Sequence, residues 1–362
     1  MNLKYLLDID KTELLTALLA FILIAGTVLG TRLYNLSSNS AVHFEEQTEI
    51  LFSELSILAE LENILSEHQI EYDAVELEWA ANILGWRRYQ RGRYVFEGSY
   101  SYNSFLSKMT KGIQDPTSVV VLPGSTLERL SSSVAPKFYF DTEDFLAVFE
   151  DSTYLAEKGL NTEQLFGRML PETYLMYWTS SPKDVVNKIL REFDRSITEE
   201  YLETAEELGY SFDEILTMAS IVEWEAKNED EKTKISGLYW NRLERGMRLQ
   251  ADPTVNFALG ERRRLLFEDY QYDHPFNTYL IDGLPPGPIT NPSLSTIEAT
   301  LNPDNHDYLY MVANPDGGHI FTETFREHQI ESEKWRIWLR EQLRIKRQNE
   351  LKEQEEANGE NS

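Results

Sequence analysis

Hydrophobic and polar positions divide the chain into four stretches with different patterns. Residues 14–31 carry no charge, residues 37–140 alternate short strand-like and helix-like runs, residues 141–335 are mainly helical in period, and residues 336–362 are highly charged. A spacing of two predicts strands, and a spacing of three to four predicts helices. The pattern therefore predicts an α+β protein with an N-terminal apolar helix, a small α+β module, a mainly helical domain, and a charged helix that ends in a disordered acidic tail.

The uncharged stretch Leu14–Thr31 is the most apolar part of the chain. Its 18 residues approach the ~20 needed to cross the hydrocarbon core, whereas a signal peptide usually has an apolar core of about 7–15 residues. We therefore predict an uncleaved transmembrane helix over residues 14–34, in preference to a signal peptide or a buried soluble helix. Lysines precede the span, so residues 1–13 are expected in the cytoplasm and later residues outside the cytoplasmic (inner) membrane.

Residues 37–140 mix strand and helix signals. Apolar runs bounded by turn residues predict strands, and apolar positions three to four apart predict helices. The predicted strands are Thr48–Phe52, Arg93–Phe96 and Ser118–Leu122; the predicted helices cover Leu55–Leu65, Ala74–Leu84 and Phe105–Met109, and another begins with Ser125 as its cap. This mixture predicts a small α+β module.

The segment Ser211–Val222 has the strongest helix signal of the larger domain. Ser211 and Glu214 have the spacing of a capping box, in which each side chain satisfies a backbone N–H at a helix start. The residues from Ile215 to Val222 are almost all apolar, which is typical of a helix buried on every side. Glu223 stands at the end of this run. A carboxyl group in apolar surroundings has a raised pKa and can hold a proton near neutral pH, as a general acid must.

A simpler role for Glu223 is a helix-end carboxylate that faces water or pairs with Lys227, four residues on. The following residues favour the catalytic role. A second predicted helix, Ile235–Leu243, is ended by Gly246. Polar loops stiffened by proline come next, and such loops suit a hydroxyl-rich ligand such as a sugar chain. Their polar residues are Gln250, Asp252, Thr254, Asn256, Asn277 and Tyr279.

Several of these residues have an alternative structural role. Asp252 either contacts a ligand or caps a turn or helix. Tyr174, Tyr177 and Trp178 either stack on sugar rings or pack in a core. The pattern at Tyr308–Ala313 and the turn after it predict a β-hairpin that ends near His319, which either lines a site or makes a structural hydrogen bond.

Composition excludes several classes of function. The 362 residues include 61 acidic and 34 basic ones, for a net charge of −27, which disfavours binding to nucleic acid or anionic lipid through a basic surface. There is no cysteine, which excludes disulfides, thiol nucleophiles and thiolate metal sites. The six histidines show no metal-ligand spacing. We expect neither a metal nor a cofactor.

In its motifs the sequence resembles the YceG-like (MltG-type) endolytic murein transglycosylases. The resemblance covers about residues 49–328, and its motifs stand in the family's order: Ala219–Glu223, Asn241–Leu243 with Gly246–Met247, Leu249–Val255, Asn277–Tyr279, Gly283–Ile289 and Gly318–Phe321. The family usually has a second acidic residue and then a threonine after the catalytic glutamate. Here Glu225 is kept, but Ala226 replaces the threonine, and His274–Phe276 replaces the family's Ser-Pro-Tyr.

The resemblance implies non-hydrolytic cleavage between MurNAc and GlcNAc in peptidoglycan. Glu223 would protonate the glycosidic oxygen and then take the proton of the C6 hydroxyl, which attacks its own anomeric carbon and leaves a 1,6-anhydro-MurNAc end. Candidates for contacting the substrate or orienting Glu223 are Asn241, Gln250, Asp252, Thr254, Asn277 and Tyr279. The resemblance also implies a LysM-like module at 37–140, serving as glycan contact or spacer, and a catalytic domain at 141–335. The implied place of action is on nascent strands near the membrane, beside penicillin-binding synthases.

Two other functions stay open. A muramidase, which is a hydrolase, would use Asp252 or Glu225 as a second carboxylate and release reducing ends. A scaffold of the cell-wall machinery would bind glycan without cleaving it. Replacing Glu223 by glutamine tests the scaffold, because a scaffold does not need the acid.

Overall fold

The computed structural model describes residues 11–226 and 228–359, with side chains as far as residue 350. The chain divides into two compact units. The first contains the residues up to Ser118 with Lys137–Tyr139 and Leu175–Ser180, and the second contains Val119–Pro136, Phe140–Tyr174 and the residues from Ser181 onward.

Helix α1, Lys11–Ser37, contains the apolar N-terminal stretch. An 18-residue window within its 27 residues has a mean hydropathy of 2.3, and none of its residues is buried. By length and composition this helix can cross a membrane, as expected for residues 14–34. Beyond the apolar part, Arg32 forms an ion pair of 2.9 Å with Glu76 of the same unit. Most of the expected cytoplasmic segment lies outside the described residues.

The first unit is built on an antiparallel sheet. Its strands are β1 (Val42–Phe52), β2 (Ser56–Ile57), β3 (Glu71–Tyr72), β4 (Arg88–Tyr89) and β5 (Gly92–Tyr100). They form a three-stranded sheet in the order β3-β1-β5 and a separate β2-β4 pair. In the β1–β5 pair, Val42 lies opposite Tyr100 and Phe52 opposite Gly92, with a bulge between Phe44 and Thr48.

Three helices bury a single core against this sheet: α2 (Leu58–Glu67), α3 (Ala74–Leu84) and α4 (Tyr102–Thr110). In that core the rings of Phe44, Phe96 and Phe105 contact one another, with centroids 4.9 to 5.8 Å apart. The strands predicted near residues 50 and 95 and the helix predicted from residue 74 are confirmed, and so is the mixture of helix and strand. The LysM-like identity of the module stays a prediction.

The second unit is mainly helical. The chain crosses between the units within β6 (Pro116–Val120) and β7 (Thr173–Tyr177), each of which has residues in both. The remaining elements are α5 (Leu127–Val134), α6 (Thr142–Glu150), α7 (Ser152–Lys158), α8 (Thr162–Gly167), α9 (Pro182–Ser196), α10 (Glu199–Glu207), α11 (Phe212–Glu225), α12 (Lys232–Glu244), α13 (Asp252–Leu259), α14 (Leu294–Leu301), β8 (Tyr310–Ala313), β9 (His319–Thr322) and α15 (Phe325–Gly359). The predicted hairpin is the antiparallel pair β8–β9.

Helix α11 lies at the centre of the core of the second unit. The predicted capping box is confirmed: the Ser211 hydroxyl accepts from the Glu214 N–H at 3.3 Å, and the Glu214 carboxylate accepts from the Ser211 N–H at 2.8 Å. Every residue from Ile215 to Val222 is buried. Residues of α12 and α14, among them Leu238 and Ile297, belong to the same core. The prediction of a helix buried on all sides is confirmed.

The cap of α5 differs from the prediction by one residue. Thr126, rather than Ser125, accepts the hydrogen bond from the Arg129 N–H, at 3.2 Å. Ser125 does not cap the helix because its hydroxyl donates to the Leu122 carbonyl at 3.0 Å.

Helix α13 occupies a segment whose polar composition predicted a loop. That prediction was wrong because Pro253 lies in the first turn, where its missing N–H would have no acceptor within the helix and its fixed φ is already helical. The helix ends at Gly260, whose φ of 72° is the left-handed conformation that glycine adopts most easily. Asp252 is the first residue of α13 and does not cap it, since the cap position is Ala251.

Helix α15 continues through the segment that was expected to be disordered. Opposite charges three residues apart pair along its surface, including Arg336 with Glu333 at 2.8 Å and Arg344 with Glu341 at 2.7 Å. Pairs at this spacing stabilise a solvated helix. These pairs lie in the predicted charged helix, and α15 extends beyond it as far as Gly359, where the sequence predicted a disordered tail.

Candidate active site

Two glutamates stand at the end of α11, and the helix directs them to different sides. Glu223 and Glu225 are two residues apart. Because each residue advances the helix by about 100°, a rotation of about 200° separates their side chains, which lie on nearly opposite sides of the helix. Glu225, not Glu223, lines a cavity of about 320 Å³ within the second unit. The other lining residues come from α12, the start of α13, the segment at residue 279, the β8–β9 hairpin and the start of α15: Tyr239, Arg242, Gln250, Asp252, Tyr279, Tyr310, Met311, Val312, Ala313, His319, Phe325 and His328.

Glu225 has the electrostatic properties expected of a general acid. Burial raises the pKa of its carboxyl group to about 7, and the negative charge of Asp252 adds to the rise. A hydrogen bond of 3.1 Å from the Tyr239 hydroxyl to Oε1, and the charges of Arg242 and Arg262, act in the opposite direction without cancelling it. A carboxyl group with this pKa can give and take a proton near neutral pH.

Asp252 is the second carboxylate of the cavity. It is exposed, and its Oδ1 atom accepts a hydrogen bond of 2.7 Å from the Tyr279 hydroxyl, while the Tyr270 hydroxyl lies 3.5 Å from Oδ2. Burial and the Asp252 charge raise the pKa of the Tyr279 hydroxyl, which therefore keeps its proton and remains a donor. The position of Asp252 is thereby fixed by a neighbouring side chain.

Gln250 and Arg242 complete the polar lining. Gln250 has a φ of 48°, a left-handed conformation that is uncommon for residues other than glycine and that often occurs at ligand sites. The Arg242 side chain is buried and donates to the carbonyls of Leu309, at 2.7 Å, and Leu249. These bonds fix a positive charge in the cavity wall.

The β8–β9 hairpin places His319 in the same cavity. Its backbone N–H donates to Glu231 Oε1 at 2.6 Å, and its ring Nδ1 lies 3.1 Å from Glu231 Oε2. His319 therefore both lines the cavity and makes structural hydrogen bonds, so the two roles predicted as alternatives occur together.

Glu223 binds the N-terminus of α14 instead of facing the cavity. Its Oε2 atom accepts from the Ser293 N–H at 2.9 Å, from the Ser293 hydroxyl at 2.8 Å, and from the Thr296 hydroxyl. The Lys232 ammonium lies 3.9 Å from the same oxygen. A carboxylate is favourable at a helix start, where backbone N–H groups are free. This placement contradicts the prediction that Glu223 faces the sugar-binding loops. Lys227, the alternative partner predicted for Glu223, lies outside the described residues.

Three of the six predicted substrate contacts line the cavity, namely Gln250, Asp252 and Tyr279. The other three hold the backbone in place, as polar groups inside proteins usually do. The Thr254 hydroxyl donates to the Ala251 carbonyl at 2.7 Å, the Asn277 amide donates to the Tyr270 and Tyr272 carbonyls at 3.2 and 2.8 Å, and the Asn241 amide donates to the His306 and Tyr308 carbonyls at 2.6 and 3.2 Å.

The three aromatic residues that could stack on sugar rings have different surroundings. Tyr174 is buried, and its hydroxyl donates to the Leu170 carbonyl at 2.7 Å, which is a core role. Tyr177 is 53% exposed, and the ring of Trp178 packs against Tyr139 with centroids 5.2 Å apart.

Several residues of the cavity were not predicted as its main groups, among them Glu225, Tyr239, Arg242 and His328. Tyr239, Arg242 and His328 were not predicted at all, and Glu225 had only an alternative role as a second carboxylate. The helical period predicts only that Glu223 and Glu225, two residues apart, lie on nearly opposite faces of α11, and it does not indicate which face lines a cavity. For Tyr239 and Arg242 the sequence predicts only positions on a helix. Such a position does not distinguish a residue of the core from a residue that lines a cavity.

A larger cavity of about 530 Å³ lies elsewhere in the second unit. Much of its wall is apolar, with Phe166, Trp224 and Phe257, and its acidic residues include Glu128 and Glu261 at exposed positions. We assign the chemistry to the smaller cavity because it contains the carboxyl group of Glu225 with its raised pKa.

The fold and the cavity together define an α+β protein with a carboxylic-acid site suited to proton transfer. The chain belongs to the YceG-like family, whose model matches residues 54–334. The resemblance identified from the motifs is thereby confirmed.

Relatives and a solved structure agree with this membership. The chain is 28% identical over 296 residues to the "Endolytic murein transglycosylase" of Bacillus subtilis, a match that covers 77% of this chain and 82% of the relative. It is also 28% identical over 262 residues to the protein of the same name from Streptococcus pneumoniae, covering 64% of this chain and about half of that longer relative. The crystal structure of a putative yceG-like protein from Listeria monocytogenes is 28% identical, with a TM-score of 0.56, and the match covers 78% of this chain and 98% of that one.

Proposed function

We propose that this chain cleaves peptidoglycan glycan strands between MurNAc and GlcNAc without water, with Glu225 as the acid and then the base. It is a lytic transglycosylase, an enzyme of the lyase class. The observation that carries the proposal is a carboxyl group with a pKa of about 7 in a polar cavity. The name of the relatives, endolytic murein transglycosylase, supports the substrate and the cleavage within strands.

The chemistry needs one group that gives a proton and takes one back. Protonated Glu225 donates to the glycosidic oxygen as its bond to the MurNAc anomeric carbon breaks. The resulting carboxylate accepts the proton of the C6 hydroxyl of the same MurNAc, and the C6 oxygen bonds to the anomeric carbon. This closes the 1,6-anhydro ring and returns Glu225 to its protonated form. Because the nucleophile belongs to the substrate, no second carboxylate is needed to activate water.

Asp252 has an electrostatic part in this scheme. Its charge raises the pKa of Glu225, which keeps the acid protonated at neutral pH. As the glycosidic bond breaks, positive charge develops at the anomeric carbon, and a fixed negative charge in the same cavity stabilises that state. The Tyr279 hydroxyl holds the Asp252 carboxylate in position at 2.7 Å.

The second candidate function is a muramidase, and the presence of Asp252 beside Glu225 favours it. In a hydrolase Asp252 would act as a nucleophile or would activate water, and the product would be a reducing end. A scaffold without catalysis is the third candidate. It has no need for a buried carboxyl group with a pKa near 7.

The apolar helix α1 supports a proposal for the cell location. We infer that this helix is an uncleaved single-pass anchor in the cytoplasmic (inner) membrane, with the residues after it on the outer side of that membrane, because its length and apolar composition suit a membrane span. The module after it is LysM-like and serves as glycan contact or spacer. The substrate is the nascent strand, so the cell-wall synthases that make such strands, the penicillin-binding proteins, are the expected partners.

The deciding experiment is mass spectrometry of purified, uncrosslinked glycan strands after digestion by the full chain in detergent. Anhydro ends support the proposal, and reducing ends, which contain one more water, support the muramidase. We expect Glu225→Gln to lower the rate by at least about 100-fold, the usual contribution of a general acid.

Glu223→Gln is the matched control, because it makes the same chemical change on the same helix outside the cavity. We expect folded Glu223→Gln protein to keep the anhydro product. If folded Glu223→Gln protein were inactive and Glu225→Gln protein active, the assignment of the acid to Glu225 would be wrong.

A further inference from the structure

His319 and Glu231 form a histidine–carboxylate pair that the mechanism above does not use. Both oxygens of Glu231 are engaged by His319, one by its backbone N–H at 2.6 Å and the other by ring Nδ1 at 3.1 Å. The side chains are only 13% and 15% exposed. The orientation of the ring is therefore fixed before any ligand binds.

The turn before His319 is shaped around this carboxylate. Gly318 has a φ of 74°, in the left-handed region, and a Cβ atom there would overlap the Glu231 carboxylate and lie 2.9 Å from the Asn228 Nδ2 atom. Glycine at this position thus lets the backbone approach Glu231 closely enough for both hydrogen bonds. The pair depends on local backbone geometry and is not a chance surface contact.

The contact also determines which ring nitrogen is available. A carboxylate only accepts hydrogen bonds, so the bond to Glu231 assigns the proton to Nδ1 and leaves a lone pair on Nε2 of the neutral ring. In the part of the chain that the structure describes, Nε2 has no hydrogen-bond partner. It lies on the ring edge away from Nδ1, on a side chain that lines the cavity containing Glu225.

We propose that His319 contacts the substrate in this cavity, with its Nε2 atom accepting a hydrogen bond from an N–H or O–H group of an N-acetylated sugar. Glu231 is the positioning residue, since it holds the ring and its tautomer. This inference rests on the proposed function, because sugar is the ligand class that offers such neutral donors. It adds a hydrogen-bond acceptor to the three predicted contacts that line the cavity, Gln250, Asp252 and Tyr279.

The test measures binding and turnover separately, with purified uncrosslinked glycan strands as the probe. The variants are His319→Gln, His319→Phe and Glu231→Gln of the full chain in detergent. Binding is measured by calorimetry with each change placed in the Glu225→Gln background, whose turnover is expected to be at least about 100-fold slower. The control is His306→Gln, since His306 is a partly buried histidine of the same unit whose Nε2 contacts the Lys234 carbonyl and which does not line the cavity.

We expect His319→Phe to weaken binding and to raise KM about tenfold, the effect of one lost hydrogen bond to substrate, with kcat changed less than about threefold. We expect His306→Gln to leave both unchanged. Glu231→Gln should weaken binding when His319 is present and have little further effect when His319 is already glutamine, because Glu231 acts through the ring.

Unchanged binding and KM in folded His319→Phe protein would overturn the proposal. So would additive effects of the Glu231 and His319 changes, which would indicate a purely structural carboxylate. If the wild-type chain bound strands without cleaving them, the proposed function would fail, while the binding measurements would still test His319 on their own.

Discussion

The pKa of Glu225 has a consequence for folding stability that can be measured without any substrate. The ordinary pKa of 4.5 rises to about 7 in the folded protein. The folded state therefore binds this proton more tightly than the unfolded state does, and stability falls as the pH rises from about 4.5 to about 7. At about 1.4 kcal/mol for each pH unit, the ionised carboxylate costs the folded protein about 3 kcal/mol above pH 7. Below pH 4.5 this cost is absent.

Glutamine has no proton to lose, so Glu225→Gln removes the pH-dependent cost and leaves other effects of the substitution nearly constant. We expect the stability of the variant relative to wild type to increase by about 3 kcal/mol between about pH 4.5 and about pH 8. The measurement is a pair of urea unfolding titrations of the full chain in mild detergent at each pH, followed by tryptophan fluorescence. Comparing the change between two pH values cancels the packing difference between the two side chains.

The control for this experiment is Glu143→Gln, which changes an exposed glutamate on α6 of the same unit. Its stability should follow that of wild type across the two pH values. If the difference in unfolding free energy between Glu225→Gln and wild type were also the same at both pH values, the carboxyl group would not be held protonated by the fold. The reasoning that makes Glu225 the acid would then be refuted.

Three further predictions concern rate and stability. First, kcat/KM with purified strands should fall above about pH 7 as Glu225 ionises, and a rate that stays constant to about pH 9 would contradict this assignment. Second, Asp252→Asn should move that decline to lower pH, because a charge that raises the pKa of Glu225 is gone; a decline at unchanged pH would show that Asp252 does not act on the acid. Third, Glu223→Gln should destabilise the fold by about 2 kcal/mol in urea unfolding, since it weakens the hydrogen bonds that tie α11 to α14, and an unchanged midpoint would show that this contact contributes nothing.

Much of the local structure around the site could be predicted from the sequence. The start of α11 follows from the capping box at Ser211 and Glu214, and its burial follows from the apolar run after it, because both depend on residues a few positions apart. Membership of the YceG-like family could also be predicted, from short motifs in a fixed order. Composition alone gives a wrong prediction after Gln250, where the polar residues indicate a loop although Pro253 lies in the first turn of a helix.

The sequence by itself determined that a buried helix ends in two glutamates on different sides and that polar, proline-rich segments follow it. Only the tertiary structure decided which glutamate lines the cavity and which binds the N-terminus of α14. The N-terminus of α14 packs beside Glu223 and supplies three hydrogen-bond donors, whereas the start of α13 and the β8–β9 hairpin line the cavity that contains Glu225 and Asp252. These neighbours lie 27 to 97 residues from Glu223 or Glu225 along the chain, and the pKa of a carboxyl group depends on what surrounds it in space.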